Sequence, residues 1–256
     1  MINKNRLFSL ALFFWFLSFI AIYLYVSSDV EKALTVSLPQ NGINSWHIII
    51  GVLSNGLLMP LQHLISLLIL LYCIFKPCFS TEMICRYKTK HKWEATITGK
   101  TVLVAMSISV AEFILIILIS SIIYGEPQIS VWSQYPLTNI PLHIAVATVL
   151  VVRCIISALV AVIFVSCNVL FGNLAISAAG NALWLILCDI GQILTPPYIS
   201  FKAVFFSSSF SFSFFLNDSF LSNILLSVVL PCILIIIVRL LSKDWIKHFP
   251  ERGQQA

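Results

Sequence analysis

Long apolar runs, each about the length of a bilayer crossing and each bounded by polar or charged residues, set the rhythm of this chain. The first covers residues 7–26 (LFSLALFFWFLSFIAIYLYV), after Lys4 and Arg6 and before Asp29 and Glu31. A second covers 48–75, a third 101–124, a fourth 142–166, a fifth 174–194 that ends at Pro196 and Pro197, and a sixth 224–241. A helix crosses the hydrocarbon core with about 20 mostly apolar residues, because lipid offers no partner to an unpaired backbone N–H or C=O. The pattern predicts an all-α integral membrane protein of about six transmembrane helices, a single transmembrane domain over residues 1–256. Strands of an outer-membrane barrel would be polar at every second residue, which these runs are not. The first run exceeds an ordinary signal-peptide core and is followed by no small-residue cleavage pattern, so it is expected to remain as a span.

One stretch fits neither class. The segment AVFFSSSFSFSFFLNDSF, within residues 198–223, carries too much serine for a span and too much phenylalanine for a solvated loop. It reads as a re-entrant or interfacial segment before the last span.

Composition agrees with the pattern. The chain is 59% hydrophobic and 10% charged, with a mean hydropathy of +1.00, whereas soluble domains are about 45–50% apolar and about 25% charged. Charge placement gives the orientation. Twelve of the 15 Lys and Arg fall before the first span, in the loop 76–100, or from Arg239 at the end of the last span onward. Lys32 and Lys202 lie on the opposite side, and Arg153 lies within a span. Basic residues favour the cytoplasmic side, so both termini and the loop 76–100 are expected there. The net charge of +5 thus reflects loop bias, not affinity for nucleic acid. The seven cysteines lie in spans or cytoplasmic loops and read as small buried apolar residues, with no zinc-type spacing.

Polar residues inside the spans are the candidates for function, since an ionisable group at mid-membrane costs at least about 2.5–3.5 kcal/mol on insertion scales. Glu112 and Arg153 stand near the middle of the third and fourth spans. Those spans run in opposite directions, which predicts an intramembrane charge pair. Asn55, Gln62 and His63 make the second span one that faces protein or a cavity, with Pro60 a possible break. Asp189 sits in the fifth span between Asn181 and Gln192. Asn55, Gln62, His63, Asp189 and the rings of Phe210, Phe212 and Phe214 are a possible substrate path for an amphipathic molecule. A proton relay would need a chain of titratable groups, with His63 and Glu112 as further members.

The most charged segment, Lys76 to Lys100, includes RYKTKHKW, and reads as an anchor to anionic headgroups or a docking surface with Tyr87 and Trp93 as aromatic anchors. No H-E-x-x-H, G-x-S-x-G, paired intramembrane glutamates or glycine-rich phosphate loop occurs. The chain is therefore not expected to be an enzyme by itself, and any ATP must be hydrolysed by another chain.

Six spans, a basic loop after the second, a tight turn between the fourth and fifth (Cys167 to Asn173) and a semi-apolar segment before the sixth resemble the type-2 ABC exporter permease family. The size and the run Arg86 to Trp93 resemble its small members that accompany bacteriocin and lantibiotic export or immunity systems of Gram-positive bacteria. The resemblance implies a transmembrane permease subunit that dimerises with a second permease copy or homologue. It implies a cytoplasmic ABC ATPase partner, which holds the ATP and magnesium, with no cofactor or metal on this chain. The substrate would be an amphipathic, bacteriocin-like peptide or a lipid, moved outward across the plasma membrane. The coupling helix would lie around Met83, Arg86, Tyr87, Lys88, Lys90, Lys92 and Trp93. The rival is an autonomous secondary transporter or channel, which should show inverted repeats or broken helices. An intramembrane enzyme built on His63, Glu112 or Asp189 is a further alternative, weakened by the differing depths expected of those groups.

Overall fold

The computed structural model describes residues 4–37, 43–53, 58–76, 90–125 and 142–171, with isolated positions such as Asn55 and Asn173 beyond these. All of its regular structure is helical among these residues: α1 (Lys4–Ser37), α2 (Ser45–Leu53), α3 (Leu58–Phe75), α4 (Lys90–Tyr124) and α5 (Leu142–Phe171). Three of the helices contain stretches long and apolar enough to cross a membrane, Phe8–Thr35, Lys92–Tyr124 and Val146–Asn168, and Leu61–Phe75 is a shorter apolar helix. Only isolated positions of the fifth and sixth predicted spans are described, and the segment before the last lies outside the described residues.

Four boundaries differ from the sequence reading. Helix α1 runs on past residue 26 to Ser37, because Ser27 can bond the Leu24 carbonyl and Asp29 with Lys32 stays on an exposed face. The second span is two helices rather than one run over 48–75. Asn55 is the reason: its Oδ1 accepts the Leu58 and Met59 amide N–H groups at 2.8 and 3.3 Å, capping α3 with Pro60 in its first turn. The loop 76–100 is helical from Lys90 onward and continuous with the third span. Finally, α5 continues past residue 166 to Phe171, which leaves little of the Cys167 to Asn173 link as a turn. Asn173 then accepts the amides of Ala175 and Ile176 and starts the next helical turn.

Helix ends elsewhere follow the same local chemistry. Asn44 caps α2 by accepting the Trp46 amide at 3.0 Å, while the Asn44 amide donates to His47 Nδ1 at 3.2 Å. An Nδ1 that accepts must be unprotonated, and burial pushes His47, which precedes the apolar run, below the usual histidine range. At the far end of α4, Gly125 adopts φ +83°, the left-handed conformation that stops a helix and that glycine takes at least cost.

Packing is inverted relative to a water-soluble bundle. Along α4 a single stripe at helical spacing is buried, and it is rich in polar groups: Thr98, Thr101, Ser109, Glu112 and Ser120, with Trp93, Ile97, Ala105, Phe113 and Ile116. The opposite face shows Leu103, Ile114, Leu118 and Ile122, the last 81% exposed. Polar inside and apolar outside is what a hydrocarbon solvent dictates, since an exposed hydroxyl or carboxylate finds no partner there. Likewise α1 buries Phe19, Tyr23 and Ser27 but exposes Phe13, Phe14 and Leu17. Of the three helices long enough to cross a membrane α5 is the most enclosed, with Val152, Ile156, Val160 and Phe164 inside the core.

Hydrogen bonds fix the directions of the helices. Trp15, Tyr23 and Glu31 of α1 meet Glu112, Ser120 and Tyr124 of α4 in ascending order, so these two helices run parallel. Helix α5 runs antiparallel to α4, with Ser157 at Ser109 and Arg153 at Glu112. Because Trp15 lies early in α1 and Glu112 late in α4, α4 starts roughly 15 Å further out than α1 at the basic end of the bundle.

The approach of α2 to α1 depends on Gly51. A Cβ placed there would stand 2.9 and 3.2 Å from Cγ2 and Cβ of Val30, with Val30 Cγ1 nearer still. A β-branched side chain in a helix has little rotamer freedom with which to yield. Gly51→Ala is expected to cost about 1–3 kcal/mol, with Val30→Ala in the same chain recovering most of it. Thermal unfolding of the purified protein checks this, and an unchanged midpoint in Gly51→Ala would show that the helices separate freely.

Candidate functional site

Four helices converge on one buried polar cluster. Helix α4 presents Glu112 and, one turn earlier on the same stripe, Ser109. Helix α5 presents Arg153 and, one turn later, Ser157; α3 presents His63; and α1 presents Trp15. Glu112, His63, Ser109 and Ser157 have no exposed surface, and Arg153 is 1% exposed.

The bonds are specific. Glu112 Oε1 accepts the Trp15 indole N–H at 2.8 Å. Its other oxygen, Oε2, contacts His63 Nδ1 and accepts Arg153 Nη2 at 3.4 Å. His63 Nε2 is 2.8 Å from Ser157 Oγ, and Ser157 Oγ is 2.6 Å from Ser109 Oγ. Ser109 also lies 3.2 Å from the carbonyl oxygen of Ala105. A carboxylate with one guanidinium beside it is already compensated in charge. A neutral imidazole, with Nδ1–H donating to Glu112 and Nε2 accepting from Ser157, which in turn accepts from Ser109, joins the carboxylate, the ring and the two hydroxyls in one chain without adding a charge.

The sequence reading paired Glu112 with Arg153, and the structure holds those side chains 3.4 Å apart. It also joins His63 to Glu112, which corrects the expectation that these two sit at differing depths. Trp15, Ser109 and Ser157 were not singled out from sequence. The two serines were within reach of a helical count, since Ser109 falls three residues before Glu112 and Ser157 four after Arg153. Trp15 had no such signal, because an aromatic residue in an apolar run is ordinary.

Other expected site residues are placed differently. The Asn55 side chain serves as the cap of α3, and Gln62 is buried with its Nε2 donating to Ser66 Oγ at 3.2 Å. Trp93 was expected as a docking anchor at the surface. It is 3% exposed and belongs to the core, because it begins the buried stripe of α4 while Lys92 takes the outer face. Lys90 opens α4. Met83, Arg86, Tyr87, Lys88, Asp189, Phe210, Phe212 and Phe214 lie outside the described residues.

Chemically, Ser157, His63 and Glu112 follow the order hydroxyl, imidazole, carboxylate found in nucleophilic triads. Here Ser109 caps the hydroxyl, every member is enclosed, and Arg153 offsets the carboxylate charge, so no face is open to an electrophile. The arrangement suits charge compensation and proton movement instead. Among the described residues no three His, Cys, Asp or Glu side chains gather as a metal site.

Comparison with protein-family models, with curated proteins and with solved structures finds no match for the chain.

Proposed function

We propose that the chain is the transmembrane permease subunit of an ATP-driven transporter, worked by a separate cytoplasmic ATPase and moving an amphipathic peptide or a lipid-like molecule outward. The reading includes a second permease copy or homologue as partner and the plasma membrane of a Gram-positive bacterium as its location. Export and protection of a producing cell against a membrane-active peptide would use the same machinery.

One observation supports it above the others. Helix α4 is uninterrupted from Lys90 to Tyr124, and its basic end extends past the start of α1. A partner that grips the helix at Lys90 to Lys92 would therefore act on a rod that reaches Glu112, roughly 30 Å away at 1.5 Å per residue. An ATPase does work on a membrane partner only through contacts that differ between two states, and a stiff connection to a buried charge cluster is one means of transmitting such a difference.

A tagged protein purified from its native membrane in mild detergent is expected to bring down an ATPase subunit with ATP-hydrolysing activity. Arg86→Ala with Tyr87→Ala is expected to lose that subunit while the permease remains folded. A clean preparation free of any ATPase would favour an autonomous secondary transporter, a reading that the enclosed His63–Glu112 contact and the break between α2 and α3 also support.

A further inference from the structure

We propose that His63, with the Ser157 and Ser109 hydroxyls, forms a proton-binding site at the centre of the bundle, in which uptake of one proton on Nε2 reverses the hydroxyl chain. The inference stands apart from the question of what drives transport.

The geometry offers two complete bonding patterns for the same heavy atoms. With a neutral imidazole, Ser109 donates to Ser157, Ser157 donates to His63 Nε2, and His63 Nδ1–H donates to Glu112. When a proton binds at Nε2, that nitrogen becomes a donor. Ser157 must then accept from it and turn its own hydrogen toward Ser109, 2.6 Å away. Ser109 in turn needs an acceptor for its displaced hydrogen, and the Ala105 carbonyl at 3.2 Å supplies one. One N–H bond forms, two hydroxyls rotate, and each hydroxyl hydrogen has an acceptor in both states. Hydroxyls suit this role because each is both donor and acceptor and its hydrogen turns freely.

The charged groups that act on the imidazole come from the helices packed against α3. Helix α4 brings Glu112 and α5 brings Arg153, both on the Nδ1 side, and α1 brings the uncharged Trp15 indole to the other carboxylate oxygen. On the Nε2 side are the two hydroxyls, with Ser109 also 3.5 Å from Nε2. Proton uptake thus changes the cluster from neutral to singly positive, a change that an apolar surrounding makes costly and that Glu112 and the hydroxyl chain offset.

Imidazole nitrogen-15 spectra of the full chain in lipid nanodiscs test this, with the His63 signals assigned by their loss in His63→Gln. In mildly basic buffer, His63 is expected with Nδ1 protonated and Nε2 bare; on acidification Nε2 should gain its proton reversibly. Ser109→Ala removes the acceptor for the Ser157 hydrogen in the protonated state only, so it is expected to weaken proton binding about tenfold, the effect of one buried donor left without a partner. A bare Nε2 throughout the range in which the protein stays folded would overturn the proposal, as would Nε2 carrying the proton in basic buffer. The parent spectra decide the matter if Ser109→Ala does not fold; if it folds, an unmoved titration overturns the role given to the hydroxyl chain.

Discussion

Glu112→Leu is expected to lower the stability of the folded protein by about 3–5 kcal/mol, the loss typical of removing one partner from a buried charge pair. Without the carboxylate, the buried Arg153 guanidinium and His63 Nδ1–H and the partly buried Trp15 indole N–H all lose an acceptor. Arg153→Leu should cost less. Glu112 then keeps its bonds to Trp15 and His63, and an imidazole can carry the compensating charge that a guanidinium supplied. Adding Glu112→Gln to Arg153→Leu removes the remaining anion and should restore part of the loss. Thermal unfolding in mild detergent, followed by size-exclusion recovery, orders these variants. Glu112→Leu unfolding at the parent's temperature would mean that the cluster contributes nothing to stability.

Trp93→Ala is expected to cost a similar amount, about 3–5 kcal/mol, as large-to-small changes of buried aromatic residues do. The residue lies at the charged end of α4, where sequence alone suggests an exposed anchor for a partner. Its burial makes the opposite prediction: stability falls first, and any loss of a bound ATPase follows from the loosened base of α4. Lys92→Ala, on the exposed face one residue earlier, should leave stability within about 0.5 kcal/mol of the parent. If Trp93→Ala unfolds like the parent yet fails to hold a partner, the docking role is restored and the core assignment of this residue is wrong.

How far each feature could be read in advance depends on the range of the interaction behind it. Helices α1, α4 and α5 were plain in the apolar runs, because crossing a bilayer constrains composition over some twenty consecutive residues. The break before α3 was half legible: Asn55 and Pro60 are cap and first-turn residues, yet both sit inside a run apolar enough to read as continuous. The face that Trp93 occupies depends on helical phase, which becomes visible only once Lys90–Lys100 is known to continue α4 without a break. The Glu112–Arg153 pairing followed from depth and direction. Recruitment of His63 and Trp15 did not, since it depends on which sides of α3 and α1 turn inward, a matter of tertiary packing between residues 49 and 97 positions apart in the chain.

The order of the cluster along the chain has a consequence for how the protein is made. Chains are synthesised and fold from the N-terminus, so α4 reaches the bilayer after α3 and before α5. Glu112 follows His63 by 49 residues and precedes Arg153 by 41. During that interval its acid has a histidine for company and no arginine. The His63 imidazole and the Trp15 indole, both earlier in the chain, can partner the newly inserted carboxyl group before the guanidinium arrives. A chain without His63 would insert Glu112 with one fewer partner already in place.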